Sequence, residues 1–148
     1  MTIFEKIDSA KSYSVIKRLL RVEFPLTTFR WGSSRIAIPY SDHLILKVAY
    51  NKKGVAQNST EIDVSRFSIE PYNEYLAQIV DYSRDSKWVL QERVTILDCD
   101  IPKEVITFLR ECFDISLGDL EQTGKIGNRS VIYDYGLTSS IFNEYYSW

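Results

Sequence analysis

A lysine in the middle of an apolar run places the tightest constraint on how this chain can fold. Leu44-Ile45-Leu46-Lys47-Val48 has the length and composition of a buried strand, and Lys47 breaks it with a charge. Facing inward, that ammonium needs an anionic partner, because an unpaired buried charge is costly. Glu61, on a helix expected within residues 55–69, is the candidate. Facing outward, Lys47 and Glu61 are two ordinary solvated charges. The pattern of the residues alone leaves both arrangements open.

The rest of the chain supplies the surroundings. Val15, Ile16, Leu19 and Leu20 recur at helical spacing within residues 12–22, with Lys17, Arg18 and Arg21 opposite, and Pro25 ends that helix. Residues 24–31 read as extended, and Gly32-Ser33-Ser34 breaks them. Residues 35–40 alternate as a strand, Ser41-Asp42 turns the chain, and 43–50 form the next strand. After the helix, 71–76 predict a short helix or turn, and 77–82 and 87–94 predict two further strands. Residues 98–101 predict a loop. Pro102 opens a helix with the apolar stripe Val105, Ile106, Leu109 and Phe113. Residues 116–120 predict a helical turn, Gly124, Gly127 and Asn128 a loop or hairpin, and 130–133 a last strand. This order predicts an α+β fold, a mostly antiparallel sheet with helices packed to one side, rather than a βαβ array. There is no Walker loop and no dinucleotide fingerprint.

Composition narrows the function. A chain of 148 residues with 45% hydrophobic and 26% charged residues fits one domain with a real core. A net charge of -2 argues against nonspecific nucleic-acid binding. The single histidine, His43, excludes most histidine-based zinc sites and, beside an expected hairpin turn, argues against a Ser-His-Asp triad. Cys99 and Cys112 set no disulfide framework and read as reduced thiols. No apolar leader and no membrane-length run are present, so a cytoplasmic protein without membrane contact is expected.

Several segments, taken in order, resemble the nucleotide-binding core of a protein kinase. They are Gly32-Ser33-Ser34-Arg35, the strand carrying Lys47, Trp88-Val89-Leu90-Gln91-Glu92-Arg93-Val94, Gly118-Asp119-Leu120 and Asp134-Tyr135-Gly136. The resemblance runs over residues 28–137 and extends to small kinase-like proteins of bacteriophages. It implies one kinase-like domain over 1–148, with a helical extension at 1–26, a sheet-and-helix lobe at 27–94 and a reduced second lobe at 95–148. It also implies ATP and magnesium as ligands. Lys47 and Glu61 would be the strand-lysine and helix-glutamate pair, and Ser33 and Ser34 would lie in the phosphate-facing turn. Glu92 would belong to the strand leading to the adenine-facing segment. Asp119 would be the catalytic base and Asp134 the magnesium ligand.

The departures from the family pattern are equally specific. The turn has one glycine where several would let backbone approach phosphates. No His or Arg precedes Asp119, and Asp114 is a rival for its role. Gly124 stands where a metal-binding Asn is expected, and Asn128 lies later. After Gly136 only residues 137–148 follow, too few for an activation segment and a large helical lobe. Phosphoryl transfer depends on positioning and electrostatics, so such losses predict impaired catalysis. The expectation is a pseudokinase-like protein that acts by binding a host or phage protein. If phage encoded, it would inhibit a host enzyme or defence system in the host cytoplasm. The aromatic tail, residues 141–148, would close the core or dock on the partner. The alternative is a minimal Mg-ATP-binding phosphotransferase or nucleotide-gated switch. A weaker one is nucleic-acid binding through Lys17, Arg18, Arg21, Arg30 and Arg35.

Overall fold

Side-chain caps start the helices of the first half of the chain. In the computed structural model, which describes residues 1–146, Thr2 and Glu5 form a reciprocal capping box at the head of α1 (Ile3–Ser9). Ser12 caps α2 (Tyr13–Glu23) by accepting the Val15 N–H. Asn51 caps α3 (Lys52–Phe67) by accepting the Gly54 N–H at 2.8 Å. That cap starts α3 three residues before the expected Val55. Of the expected extended stretch 24–31, only β1 (Arg30–Trp31) is paired.

The strands β2 (Arg35–Pro39), β3 (Leu44–Ala49), β4 (Ile79–Tyr82) and β5 (Trp88–Glu92) join β1 in a five-stranded antiparallel sheet ordered β1-β2-β3-β5-β4. Between α3 and β4 lies a 3-10 turn at Tyr72–Tyr75. Beyond β5 come β6 (Thr95–Ile96), α4 (Lys103–Phe113), α5 (Leu117–Leu120), β7 (Thr123–Ile126), β8 (Arg129–Ile132) and α6 (Ser139–Tyr146). The strands β6, β7 and β8 form a second antiparallel sheet. The fold class is therefore α+β, with six α-helices and two antiparallel sheets among the described residues. The two expectations that fail are the single sheet and the helices on one side. Gly124, expected in a loop, sits inside β7 opposite Val131 and Ile96, and only Gly127-Asn128 turns.

Period-2 alternation sorts the larger sheet into two faces. Ile36, Ile38, Leu46, Val48, Trp88 and Leu90 point to one side, where Ile3, Ile7, Ile16 and Leu20 of α1 and α2 cover them. The interleaved residues Arg35, Ala37, Lys47, Val89 and Gln91 point to the other side, toward α3. A second core joins Val64 of α3 to Leu76, Val105, Leu109, Ile115, Leu120, Ile132 and Tyr135. It packs the smaller sheet and α4 against the end of α3. Ala77 N–H donates to the Ile132 carbonyl at 2.9 Å, which ties β8 to the chain just before β4. Of the aromatic tail, Ile141 is buried while Phe142 is half-exposed. Ser147 and Trp148 lie outside the described residues.

Candidate functional site

The hairpin register brings two cations together. Ala37 pairs with Lys47 and Arg35 with Ala49, so Arg35 and Lys47 are diagonal neighbours on one face. Both side chains reach Glu61, which is fully buried near the middle of α3. Lys47 Nζ lies 3.2 Å from Glu61 Oε1 and 3.3 Å from Oε2. Arg35 grips the same carboxylate with both nitrogens, at 2.7 Å to Oε1 and 3.0 Å to Oε2. Such a fork-to-fork pair is the strong form of ion pair.

The segment after β8 completes the cluster. Arg35 donates to Asp134 Oδ1 at 2.6 Å, and Lys47 donates to the Tyr133 carbonyl at 2.7 Å. Tyr135 N–H donates to Glu61 Oε2 at 3.1 Å, and its hydroxyl reaches the Ala77 carbonyl at 2.7 Å. Gly136 lies so close to α3 that an added Cβ would sit 2.6 Å from the Gln57 carbonyl oxygen. The glycine of Asp134-Tyr135-Gly136 is therefore needed to seat the segment on the helix. The residue after Gly136 brings Asp119 in: Leu137 N–H donates to its Oδ2 at 2.7 Å.

Burial and neighbours spread the acidities of this cluster widely. Burial alone would raise the Glu61 carboxyl, but Arg35 and Lys47 outweigh it and bring it down to about 2. Asp119 goes the other way. Burial first, then the nearby negative Asp134, push it up to about 7, against the pull of the Leu137 N–H. Burial works to lower the Arg35 guanidinium, but Glu61 and Asp134 hold it more firmly protonated than usual.

The turn between β1 and β2 lies over the first turns of α3. Lys53 Nζ donates to Ser33 Oγ at 2.7 Å, Asn51 Nδ2 donates to the Ser33 carbonyl at 3.1 Å, and Ser34 Oγ donates to Gln57 Oε1. Tyr50 N–H donates to the Ser34 carbonyl at 3.0 Å. A Cβ on Gly54 would lie 2.2 Å from that carbonyl, so the approach is as close as backbone allows. The two serine hydroxyls expected to face phosphate are thus engaged with α3.

Beneath this turn is a cavity of about 510 Å³, a volume typical of small-molecule sites. Arg35, Lys47 and Asp134 form its charged end. Pro39, Ile45, Val94 and Ile96 line it toward the other end of the strands, beside Gln91 and Arg93. Glu92 also lines it, with its carboxylate held by Arg129 at 2.8 Å and by the Gln78 N–H at 2.8 Å. Glu92 therefore braces the two sheets as well as the cavity. Asp114 is exposed and ends α4 in the left-handed conformation, so it is not in this cluster. Asn128 lies in the β7–β8 turn and is likewise outside it.

A divalent metal does not fit these side chains as they stand. Asp134 Oδ1 and both Glu61 oxygens already accept Arg35, and Asp119 Oδ2 accepts the Leu137 N–H. No group of three acidic, histidine or cysteine side chains is disposed to ligate a metal among the described residues. The arginine lies between the two carboxylates, where a cation is wanted.

The structure thus brings together Lys47, Glu61, Asp119 and Asp134, with Ser33, Ser34 and Glu92 around the same cavity. Sequence reading placed Arg35 at the end of the Gly32-Ser33-Ser34 turn and among the basic residues of the nucleic-acid alternative, and missed it as the buried centre of the cluster. The alternation Arg35-Ile36-Ala37-Ile38 and the Ser41-Asp42 turn carried the signal, since together they set Arg35 on the face of Lys47. Gln57 and Asn58 were missed too. No family model, no curated protein and no solved structure matches the chain. No helix among the described residues is long and apolar enough to cross a membrane.

Proposed function

We propose that this chain is a kinase-like domain that has lost efficient phosphoryl transfer and acts by binding a protein. The observation that carries the reading is Arg35, held between Glu61 and Asp134 at 2.7 and 2.6 Å. Phosphoryl transfer from a nucleotide needs a metal bridging the phosphates at an acidic ligand such as Asp134. Here a fixed guanidinium neutralises that ligand, while the lysine–glutamate pair, the overhanging turn and the cavity persist. A pocket kept without its metal suits a binding or switching role. The partner would be a host or phage protein, and inhibition of a host enzyme or defence system fits the resemblance to small phage kinase-like proteins. Exposed apolar residues such as Leu26, Phe67 and Ile69 offer contact surface.

A radiolabelled phosphotransfer and ATPase assay with magnesium tests the catalytic half. The expected result is no turnover that Asp134→Ala removes. Turnover lost in that variant would favour the second reading, a minimal Mg-ATP phosphotransferase or nucleotide-gated switch. That reading draws on one observation of its own: Asp119, raised to about 7, has the acidity of a general base at neutral pH.

A further inference from the structure

We propose that the outward face of α2 is the docking surface for the partner, and that the partner presents an acidic amphipathic helix to it. This deepens the protein-binding role proposed above and rests on it.

Charge segregation is the first ground. Residues 11–53 hold nine Lys and Arg against two Asp and Glu, whereas residues 54–148 hold eight against sixteen. The net charge of -2 thus conceals a basic first part and an acidic remainder. Within the basic part, Arg35 and Lys47 are engaged by Glu61. The cations of α2 have no such answer. Lys17 and Arg21 are one turn apart with Arg18 beside them, and like charges at that spacing destabilise a free helix. The acidic residues of α1 and α2 are committed elsewhere. Glu5 accepts the Thr2 N–H, Asp8 accepts the Trp88 indole N–H at 3.0 Å, and Glu23 pairs with Lys6 at 3.6 Å. Arg18 and Arg21 make no ion pair among the described residues. Lys17 Nζ rests 4.7 Å from the centre of the Tyr50 ring, which holds the ammonium at the surface with its charge intact.

The second ground is what lies beside these cations. At helical spacing, Arg21, Arg18, Val22 and Val15 follow one another across an arc of about 120°, opposite the buried Ile16 and Leu20. Val22 is 75% exposed, and Leu26, in the turn that follows, is 98% exposed. Covering these aliphatic groups stabilises a complex only with a partner that is apolar beside its charges. Single-stranded nucleic acid calls for successive aromatic platforms, and the Tyr50 ring is already covered by Lys17. A membrane surface calls for the apolar face of the helix, which α2 turns to the core. A protein helix fits both features. Carboxylates one turn apart on it meet Arg18 and Arg21, which are one turn apart, and its apolar stripe covers Val15 and Val22, two turns apart. The contact would run along the three turns of α2, about 16 Å.

The test is fluorescence anisotropy of a labelled amphipathic peptide, glutamate along one face and leucine along the other, titrated with the full chain. Its controls are the same peptide with glutamine for glutamate, an oligo-dT, and vesicles of phosphatidylserine and phosphatidylcholine. The expected result is saturable binding of the acidic peptide, weaker by about tenfold or more for the glutamine version. Arg18→Glu combined with Arg21→Glu should weaken it by about tenfold or more, and Val22→Ser by about threefold. These side chains are exposed, so the variants should melt as wild type does. Peptide binding that survives the double reversal would overturn the surface. Binding of oligo-dT or vesicles that is tighter than the peptide's and indifferent to Val22→Ser would overturn the partner class. Absence of peptide binding would overturn the assignment as a whole. The protein-binding reading falls by a different result, turnover that Asp134→Ala removes, so the two failures are told apart.

Discussion

The two faces of the larger sheet are built from the same strands and held by different physics. On the face under α1 and α2, Ile36, Ile38, Leu46 and Val48 are fully buried among aliphatic neighbours. On the face under α3, Arg35, Lys47 and Glu61 are buried as charges that pair with one another, with Asp134, Asn58 and the backbone of Tyr133 and Tyr135 completing their hydrogen bonds. The apolar face gains from every group removed from water, roughly in proportion to area. The charged face must first overcome desolvation, and the ion pairs inside it recover that cost without a large surplus. Its use is in fixing geometry: one carboxylate locates a lysine, an arginine and the backbone of Tyr135 at once. A fold that wanted stability alone could fill those positions with aliphatic residues.

The largest effect should come from breaking the charged face one-sidedly. Glu61→Ala leaves Arg35 and Lys47 buried with half their partners, so a loss of about 3–5 kcal/mol is expected, read by urea denaturation at neutral pH. Leu46→Ala, at the same level on the opposite face, should cost about 2–5 kcal/mol through lost burial and a cavity. The two differ in what else they change. Glu61→Ala should also release Asp134 and Tyr135 from their positions and abolish cavity binding, whereas Leu46→Ala should leave the affinity of the folded fraction unchanged. If Leu46→Ala weakened binding as much as Glu61→Ala, the division of labour between the faces would fail.

The apolar face was largely legible in the sequence and the charged face was not. Alternation at residues 35–40 and the apolar run within 43–50 locate the hairpin, because the turn residues Ser41-Asp42 between them limit the choice of register. Helix α2 is legible from its apolar stripe. Helix α3 is harder to read, since much of what it buries is polar: Lys53, Gln57, Asn58 and Glu61 beside Ile62 and Val64. A helix that buries polar groups has no hydrophobic period to find, and the same groups are what make the site. The pairing of Lys47 with Glu61 could be suspected because a mid-strand lysine demands an anion. The role of Arg35 depended on a third element, Asp134, nearly a hundred positions away. The short strands β6 and β7 escaped notice because Thr-Ile and Thr-Gly-Lys-Ile lack alternation long enough to register.

Acidity gives a second way to separate the faces, since only one of them titrates. Asp119 is raised from 3.8 to about 7 on folding, so the folded chain binds a proton that the unfolded chain has released. Its contribution to stability is complete below about pH 4, declines as pH rises toward about 7, and is flat above that. Glu61 has the opposite sign: lowered from 4.5 to about 2, it stabilises above the unfolded value and that support is lost as pH falls through this range. The difference in stability between wild type and Asp119→Asn should therefore slope by up to about 1.4 kcal/mol per pH unit between about pH 4 and 7, and level off above. Denaturation curves of both proteins across that range measure it. A difference independent of pH would mean that Asp119 is ionised throughout, and that the site is more open to water than its burial implies.

The smallest expected effect compares two helix caps, one serving each face. Ser12→Ala removes the acceptor for the Val15 N–H at the head of α2, and should cost about 1 kcal/mol. Asn51→Ala removes the acceptor for the Gly54 N–H at the head of α3, and should cost about the same for that reason alone. But Asn51 also donates to the Ser33 carbonyl at 3.1 Å and so helps hold the β1–β2 turn over the cavity. Matched losses in thermal stability should therefore accompany unmatched effects at the site: Ser12→Ala silent, Asn51→Ala weakening cavity binding by about threefold to tenfold. Equal binding by the two variants would mean that Lys53, Gln57 and the backbone of Tyr50 suffice to position the turn, and that the cap of α3 serves the helix alone.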